Sequence, residues 1–285
     1  MTGRAIISSS RAEAVFVTRF APSPTGYLHL GHAFSALTAF DAVRAAGGRF
    51  LLRIEDLDQG RCRAEFEAAI FEDLAWLGLQ WEEPVRRQFE HMADYETALA
   101  RLIAMGAVYR CFKTRAEVLV SLTEAPHGPE VLFFGEPLTP DDEAARLARG
   151  DAFAWRLRTA RLPALLCETL SFEDETGRVS VNVRQLGDAV IARKEFPTSY
   201  HLASVCDDAL QGVTHVIRGE DLRDSAHLHV VLQKLLGLPT PIYRHHRLIA
   251  DQTGRRLAKR DKDETLRSLR ARGATPDDVR KLVGV

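Results

Sequence analysis

The chain has no apolar run that approaches membrane-spanning length, and residues 1–14 are mixed polar, without the apolar core of a signal peptide. Closely spaced cysteine pairs are also missing. The four cysteines, Cys62, Cys111, Cys167 and Cys206, lie far apart. That excludes a disulfide framework and argues for a reducing compartment, so the expected location is cytoplasmic. Net charge is nearly absent as well, −1 at pH 7 with a pI near 6.8. No overall basic field announces nucleic acid. The balance is nevertheless uneven. Residues 254–285 carry ten Lys/Arg against five Asp/Glu, a local +5, which leaves −6 for the remainder. What is present is an ordinary globular composition, 46% hydrophobic and 27% charged over 285 residues. That length can bury a full core in one large or two modest domains.

The chain is organised around Pro22-Ser23-Pro24-Thr25-Gly26-Tyr27-Leu28-His29-Leu30-Gly31-His32. A strand-like run, residues 15–20, leads in, and a helix-like run, residues 33–46, leads out. A Pro/Gly-rich loop between a first strand and a first helix is where open α/β sheets hold nucleotides. His29 and His32 fall three apart on the helix's first turn. That turn also offers free N–H groups and a positive dipole end, and Gly31 lets a ligand approach the backbone. The arrangement suits a triphosphate.

In chain order, Ala33, Ala36, Leu37 and Phe40 give one apolar helical stripe, ended at Gly47-Gly48. Residues 49–54 read as a buried parallel strand that delivers Glu55-Asp56-Leu57-Asp58 at its carboxyl end. Helical patterns follow at 63–77 and 91–105. From 109 to 184 the pattern turns irregular. Thr139-Pro140-Asp141-Asp142-Glu143 opens a helix, then 152–159 and 168–183 read as antiparallel strands with a turn at Glu175-Thr176-Gly177. The α/β pattern resumes with apolar 199–206, a strand near 214–221, a helix stripe from Leu228 to Leu236 and a strand-like 242–250. The predicted division is a nucleotide-binding half at 1–108, an α+β insertion at 109–184, a second half at 185–250 and a basic loop with a helical tail at 251–285. His227 and His229 stand two apart on a helix, and His245-His246 alternate on a strand, so neither pair is expected to face one ligand.

His29-Leu30-Gly31-His32 resembles the first signature of class I aminoacyl-tRNA synthetases, and Arg256-Leu257-Ala258-Lys259-Arg260 resembles their second, lysine-bearing one. Arg19-Phe20-Ala21-Pro22-Ser23-Pro24-Thr25-Gly26, Arg53-Ile54-Glu55-Asp56 and Ile217-Arg218-Gly219-Glu220-Asp221-Leu222 are similar to the glutamyl branch. The resemblance covers nearly the whole chain and implies a class I, Rossmann-like parallel sheet. Only 26 residues follow Lys259, so no anticodon-binding domain is expected. The layout is similar to the branch that charges glutamate onto queuosine in tRNA(Asp). Two positions depart from the pattern. Ala258 stands where the second signature usually has Ser. The Tyr109-Arg110-Cys111-Phe112-Lys113 stretch keeps one cysteine where many relatives bind zinc, so neither zinc nor any other protein-held metal is expected.

The implied reaction is attack of the glutamate α-carboxylate on the α-phosphate of ATP, followed by glutamyl transfer to tRNA. Mg²⁺ would arrive with ATP and the expected assembly is a monomer. His29, Gly31, His32 and Lys259 are the ATP-site candidates, and His29, His32 and Lys259 would stabilise charge on phosphate oxygens. Arg19 and Arg218 are candidates for the substrate carboxylates because a guanidinium pairs them bidentately. Glu55 would take the α-ammonium and Tyr200 offers a hydroxyl, with Phe20, Ala21, Pro22 and Ser23 lining the entry. Three other readings stay open: a discrete or truncated synthetase charging tRNA(Glu), an idle tRNA- or amino-acid-binding paralogue, and a small nucleotidyltransferase sharing the first signature. Replacing Lys259 with Ala should cut pyrophosphate exchange by at least ~100-fold, since one preorganised charged donor contributes ~2.7–4 kcal/mol. Near-parental exchange would remove Lys259 from the site.

Overall fold

The computed structural model describes residues 15–114, 116–118, 132–194, 196–249 and 264–285. Lys259, Ala258 and the rest of the basic loop lie outside them. Three strands, β1 (Val17–Phe20), β2 (Arg49–Ile54) and β3 (Glu82–Arg87), form a parallel sheet in that order. Helices α1 (Leu30–Ala46) and α2 (Ala64–Trp76) make the crossovers, and α3 (Met92–Ala104) follows. β1 and β2 are buried almost throughout, as continuous apolar runs in a covered parallel sheet require. β3 was not foreseen. Glu82-Glu83-Pro84-Val85-Arg86-Arg87 is charged and holds a proline, which suits an edge strand with an irregular register.

The second parallel pair is β9 (His215–Gly219) with β10 (Ile242–His246), joined by α7 (Ser225–Leu236). Thr214 stitches the two sheets together. Its hydroxyl accepts from the Val17 N–H at 2.8 Å, and its own N–H donates to the Val17 carbonyl at 2.9 Å. β1 and β9 are therefore neighbours, and the chain leaves them in a βα loop on one side and a 3₁₀ turn, Glu220–Leu222, on the other.

Between these parallel parts the chain builds β4 (Val108–Cys111), α4 (Pro140–Ala148), β5 (Ala154–Leu157), the short α5 (Leu162–Leu165), β6 (Ser171–Asp174), β7 (Gly177–Ser180) and β8 (Val190–Ala192). β4, β5 and β8 form an antiparallel sheet, and β6 and β7 a hairpin that packs on β10. Thr139 caps α4 by accepting from the Asp142 N–H. Residues 199–206, apolar in sequence, belong to a helix, α6 (Tyr200–Leu210), whose buried face includes Asp207 and Asp208. The C-terminal part is two helices, α8 (Leu266–Ala271) on α2 and α9 (Pro276–Val283) on α1. Among the described residues no helix is long and apolar enough to cross a membrane.

Two glycines are required by close approach. A Cβ on Gly48 would sit 2.1 Å from the Phe16 carbonyl oxygen, where the chain turns from α1 into β2. A Cβ on Gly31 would meet the His29 ring at 2.9 Å. Gly31 thus first makes room for a neighbouring imidazole, beside any role toward a ligand.

Asp73 of α2 is fully buried, with neither carboxylate oxygen hydrogen-bonded among the described residues and Arg270 Nη1 3.7 Å away. Burial pushes its carboxyl up to about 6. The folded state therefore binds a proton that the unfolded chain releases, and stability falls as pH rises through about 6. Asp73→Asn should stabilise the protein at pH 8 by roughly 1–3 kcal/mol in urea unfolding, with the gap closing by about pH 4. A gap that ignores pH would contradict this.

Candidate active site

One cavity of about 530 Å³ opens at the carboxyl ends of β1, β2, β9 and β10, the switch point of the parallel sheet. All the sequence candidates within the described residues line it: Arg19 to Ser23 on the first strand and its loop, His29, Gly31 and His32 at the start of α1, Glu55 after β2, Tyr200 on α6 and Arg218 on β9. Phe34, Leu222, Leu248 and Ile249 add an apolar wall. Asp56, named with Glu55 in sequence, is absent from that lining, and its carboxylate accepts from the Phe89 N–H at 2.9 Å.

His29 is the N-cap of α1 and His32 its third residue. The two cap the helix reciprocally: His29 Nδ1 accepts from the Gly31 N–H at 3.1 Å, and His32 Nδ1 from the His29 N–H at 3.2 Å. With both Nδ1 atoms accepting, each neutral ring carries its proton on Nε2. The rings lie 3.9 Å apart between centroids. The helix start thus presents two imidazole donors of fixed tautomer at the positive end of a dipole, which is chemistry for phosphate oxygens. Thr265 forms an isolated bridge with His29, and the Leu266 N–H donates to the Leu28 carbonyl at 2.8 Å. Ile249 lines the same cavity. The chain on either side of the Lys259 segment is therefore anchored at this site.

The two candidate arginines differ sharply. Arg19 is held by Asp208, with Nε to Oδ1 at 2.9 Å and Nη2 to Oδ2 at 3.4 Å. Fully buried Arg53 reaches the same carboxylate at 2.7 Å through Nη1, and Glu55 at 3.3 Å through Nη2. Its Nε stands 3.7 Å from Asp207, which also takes hydrogen bonds from Arg86, Gln88 and Tyr95. Against the upward push of burial, Arg19 and Arg53 hold the Asp208 carboxyl below its ordinary value. Burial raises Glu55, with Arg53 and Arg19 pulling it back.

Arg218 has no carboxylate partner among the described residues. It is 4% exposed, and Nε donates to His245 Nε2 and Nη1 pairs with His229 Nδ1, each at 3.3 Å. Its guanidinium lies over the Tyr243 ring at 5.2 Å. Nη2 is buried with no hydrogen-bond partner among the described residues. His229 in turn meets His201 at 3.1 Å. Burial and the Arg218 charge lower His201 and His245 to about 4, and His229 well below its usual value. All three rings are neutral at pH 7, so none of them compensates the guanidinium charge. A buried cation without a counter-ion is costly unless an anion joins it, so the site is built for an incoming carboxylate or phosphate.

Spacing within one element gave no hint that histidines surround Arg218. His229 and His245 come from a helix and a strand and converge only in the fold. Arg53, Asp207 and Asp208 likewise carry no local sequence signal of their role as site supports.

A second cavity of about 190 Å³ adjoins the first, sharing Ser23, Glu55 and Tyr200 and adding Asp58, Arg61 and Arg193. In the inserted stretch, Cys111 is buried beside Tyr109 and Phe133, and the Tyr109 hydroxyl donates to Asp188 at 2.8 Å. Among the described residues the one cluster with ligand atoms spaced for a metal is Asp174, Glu175 and His245, and it does not include Cys111.

Residues 15–283 match the family model of class I tRNA synthetases (E and Q), catalytic domain. The chain belongs to that family. The synthetase is 47% identical to a Glutamyl-Q tRNA(Asp) synthetase of Rhodobacter capsulatus, over 94% of this chain and the whole of that protein. It is 41% identical to one of Symbiobacterium thermophilum, over 92% of this chain and 83% of the other. A glutamate–tRNA ligase of Aquifex aeolicus is 37% identical over 91% of the synthetase, which spans 54% of that ligase. The crystal structure of a glutamate-tRNA synthetase from Elizabethkingia anophelis superposes with a TM-score of 0.75 at 30% identity; the synthetase covers 53% of it. The family fixes the enzyme as a ligase of the aminoacyl-tRNA synthetase type, an ATP user with a parallel α/β catalytic domain.

Proposed function

We propose that the protein activates L-glutamate as glutamyl-adenylate and transfers it to queuosine in the anticodon loop of tRNA(Asp). The observation that carries the amino-acid half is Arg218, a buried guanidinium at the cavity whose Nη2 has no hydrogen-bond partner and whose charge has no ion-pair partner among the described residues. A substrate carboxylate supplies both the missing charge and the missing acceptor. Arg19, already neutralised by Asp208, adds shape and a weaker pull, and Glu55 receives the α-ammonium. An arginine facing a neutral amide would lose a charged hydrogen bond, about 1.5–3 kcal/mol, which separates glutamate from glutamine.

The adenylate half rests on α1. His29 and His32 donate through Nε2 to α-phosphate oxygens as the glutamate carboxylate attacks and pyrophosphate leaves. Lys259 adds a full charge from its loop, and the apolar wall at Phe34, Leu248 and Ile249 takes the purine. The helix start and paired imidazoles fit a triphosphate; Mg²⁺ bound to it would neutralise part of its charge. Residues 1–108 and 185–250 are assigned to the two nucleotide-binding halves and 109–184 to the acceptor-side insertion, although β8 (Val190–Ala192) pairs with β5 and completes the insertion's sheet. The second cavity, open beside Glu55 and Tyr200, receives the acceptor nucleoside. We place the enzyme in the cytoplasm as a monomer.

The relatives named Glutamyl-Q tRNA(Asp) synthetase support this acceptor, the first at 47% identity against 37% for the Aquifex glutamate–tRNA ligase. A splayed loop base can be read by stacking and edge contacts, and the basic residues of 254–285 can meet stem phosphates. The test offers radiolabelled glutamate with tRNA(Asp) carrying queuosine, tRNA(Asp) lacking it, and tRNA(Glu). Label should appear only on the first. Label on tRNA(Glu), or label that ignores queuosine, would instead support an ordinary glutamyl-tRNA synthetase.

A further inference from the structure

We infer that Glu175, in the turn of the β6–β7 hairpin, is a positioning residue that holds Arg218 in its carboxylate-binding pose through His245. Arg218 Nε donates to His245 Nε2, so that nitrogen must keep its lone pair and Nδ1 must carry the hydrogen. The His245 side chain is wholly buried, and Nδ1 has no hydrogen-bond partner among the described residues. The acceptor facing it is Glu175 Oε2, 3.8 Å away. A carboxylate at that distance favours N–H on the near side of the ring. The opposite tautomer would set one N–H against another at Arg218 and leave a bare lone pair facing a negative charge. Glu175 therefore selects the tautomer on which the Arg218 hydrogen bond depends, as outer partners do for metal-bound histidines.

Glu175 is itself fixed. Oε2 accepts from the backbone N–H of His245 at 3.0 Å, and Oε1 is paired with Arg223 Nη2. Arg223 Nη1 also reaches Asp174 Oδ2 at 3.0 Å. Asp174, Glu175 and His245 bring their ligand atoms within 4.8 Å of one another, but the Arg223 fork already pairs with both carboxylates, so the trio serves a guanidinium rather than a metal ion. The relay runs from Arg223 to Glu175, His245 and Arg218. It joins a hairpin between the two parallel parts of the fold to the floor of the amino-acid cavity.

The inference rests on the reading of Arg218 as the glutamate carboxylate's partner, and one set of variants separates the two. Pyrophosphate exchange is measured for Arg218→Ala, Glu175→Ala, Glu175→Gln and Arg218→Ala/Glu175→Ala, with KM for L-glutamate and for ATP determined separately and melting followed by circular dichroism. Glu175→Ala should raise the glutamate KM by roughly 3- to 10-fold, the worth of one hydrogen bond, and leave the ATP KM unchanged. In the Arg218→Ala background the same change should add nothing, because the two act as one unit. Glu175→Gln keeps the acceptor for the His245 N–H but not the charge, and should give a smaller rise. If the alanine protein does not fold, the glutamine variant decides, and an unchanged glutamate KM there overturns the relay. Multiplying effects in the double variant, or both KM values rising together, would make Glu175 a structural residue only. If Arg218→Ala itself leaves the glutamate KM unchanged, the carboxylate reading fails first.

Discussion

Everything at the cavity depends on two adjacent buried carboxylates, Asp207 and Asp208, in the last turn of α6. Between them they hold Arg19 from β1, Arg53 from β2, and Arg86 from β3, so the carboxyl ends of three parallel strands are tied to one helix. Removing one partner of such a cluster leaves an uncompensated charge in a dry interior, which typically costs 3–5 kcal/mol. The arrangement is therefore all or nothing. It also sorts the arginines. Arg19 and Arg53 are neutralised from within the protein, whereas Arg218, held by neutral imidazoles, is not. The Arg218 charge is left for the substrate.

The phosphate end is organised by a different device. The same two histidines that face the cavity close the first turn of α1, so helix capping and the tautomer needed for donation are one arrangement. Gly31 permits it because any side chain there would strike the His29 ring. Thr265 and Leu266 then bring the chain back to this turn on the far side of the Lys259 segment. The histidine motif, the first strand and the C-terminal helices thus meet at one point, although more than 200 residues separate the first from the last.

Much of this was legible in the sequence because it is local. The loop from Pro22 to His32 lies between a strand and a helix with the expected periodicity, and the residues named from it line one cavity. What was hidden is long-range. Asp208 meets Arg19 across 189 positions and Arg53 across 155, and no periodicity encodes such a pairing. The apolar run 199–206 read only as apolar, so the buried acids that end it looked like the polar end of an element. β3 escaped because its six residues include two glutamates, two arginines and a proline, and it pairs as an edge. His229 and His245 were dismissed on spacing within their own elements, yet they converge on Arg218 from a helix and a strand.

The central claim is that the cavity selects a carboxylate because Arg218 is buried with none paired to it among the described residues. The direct measurement is pyrophosphate exchange with L-glutamate, L-glutamine and L-aspartate, each with and without tRNA(Asp). Glutamate should support exchange, and glutamine should fall behind it by roughly 10- to 150-fold, the loss of one charged hydrogen bond. Glutamine exchanging as well as glutamate would mean that the Arg218 charge is not read by the substrate, and the account of the site would fail.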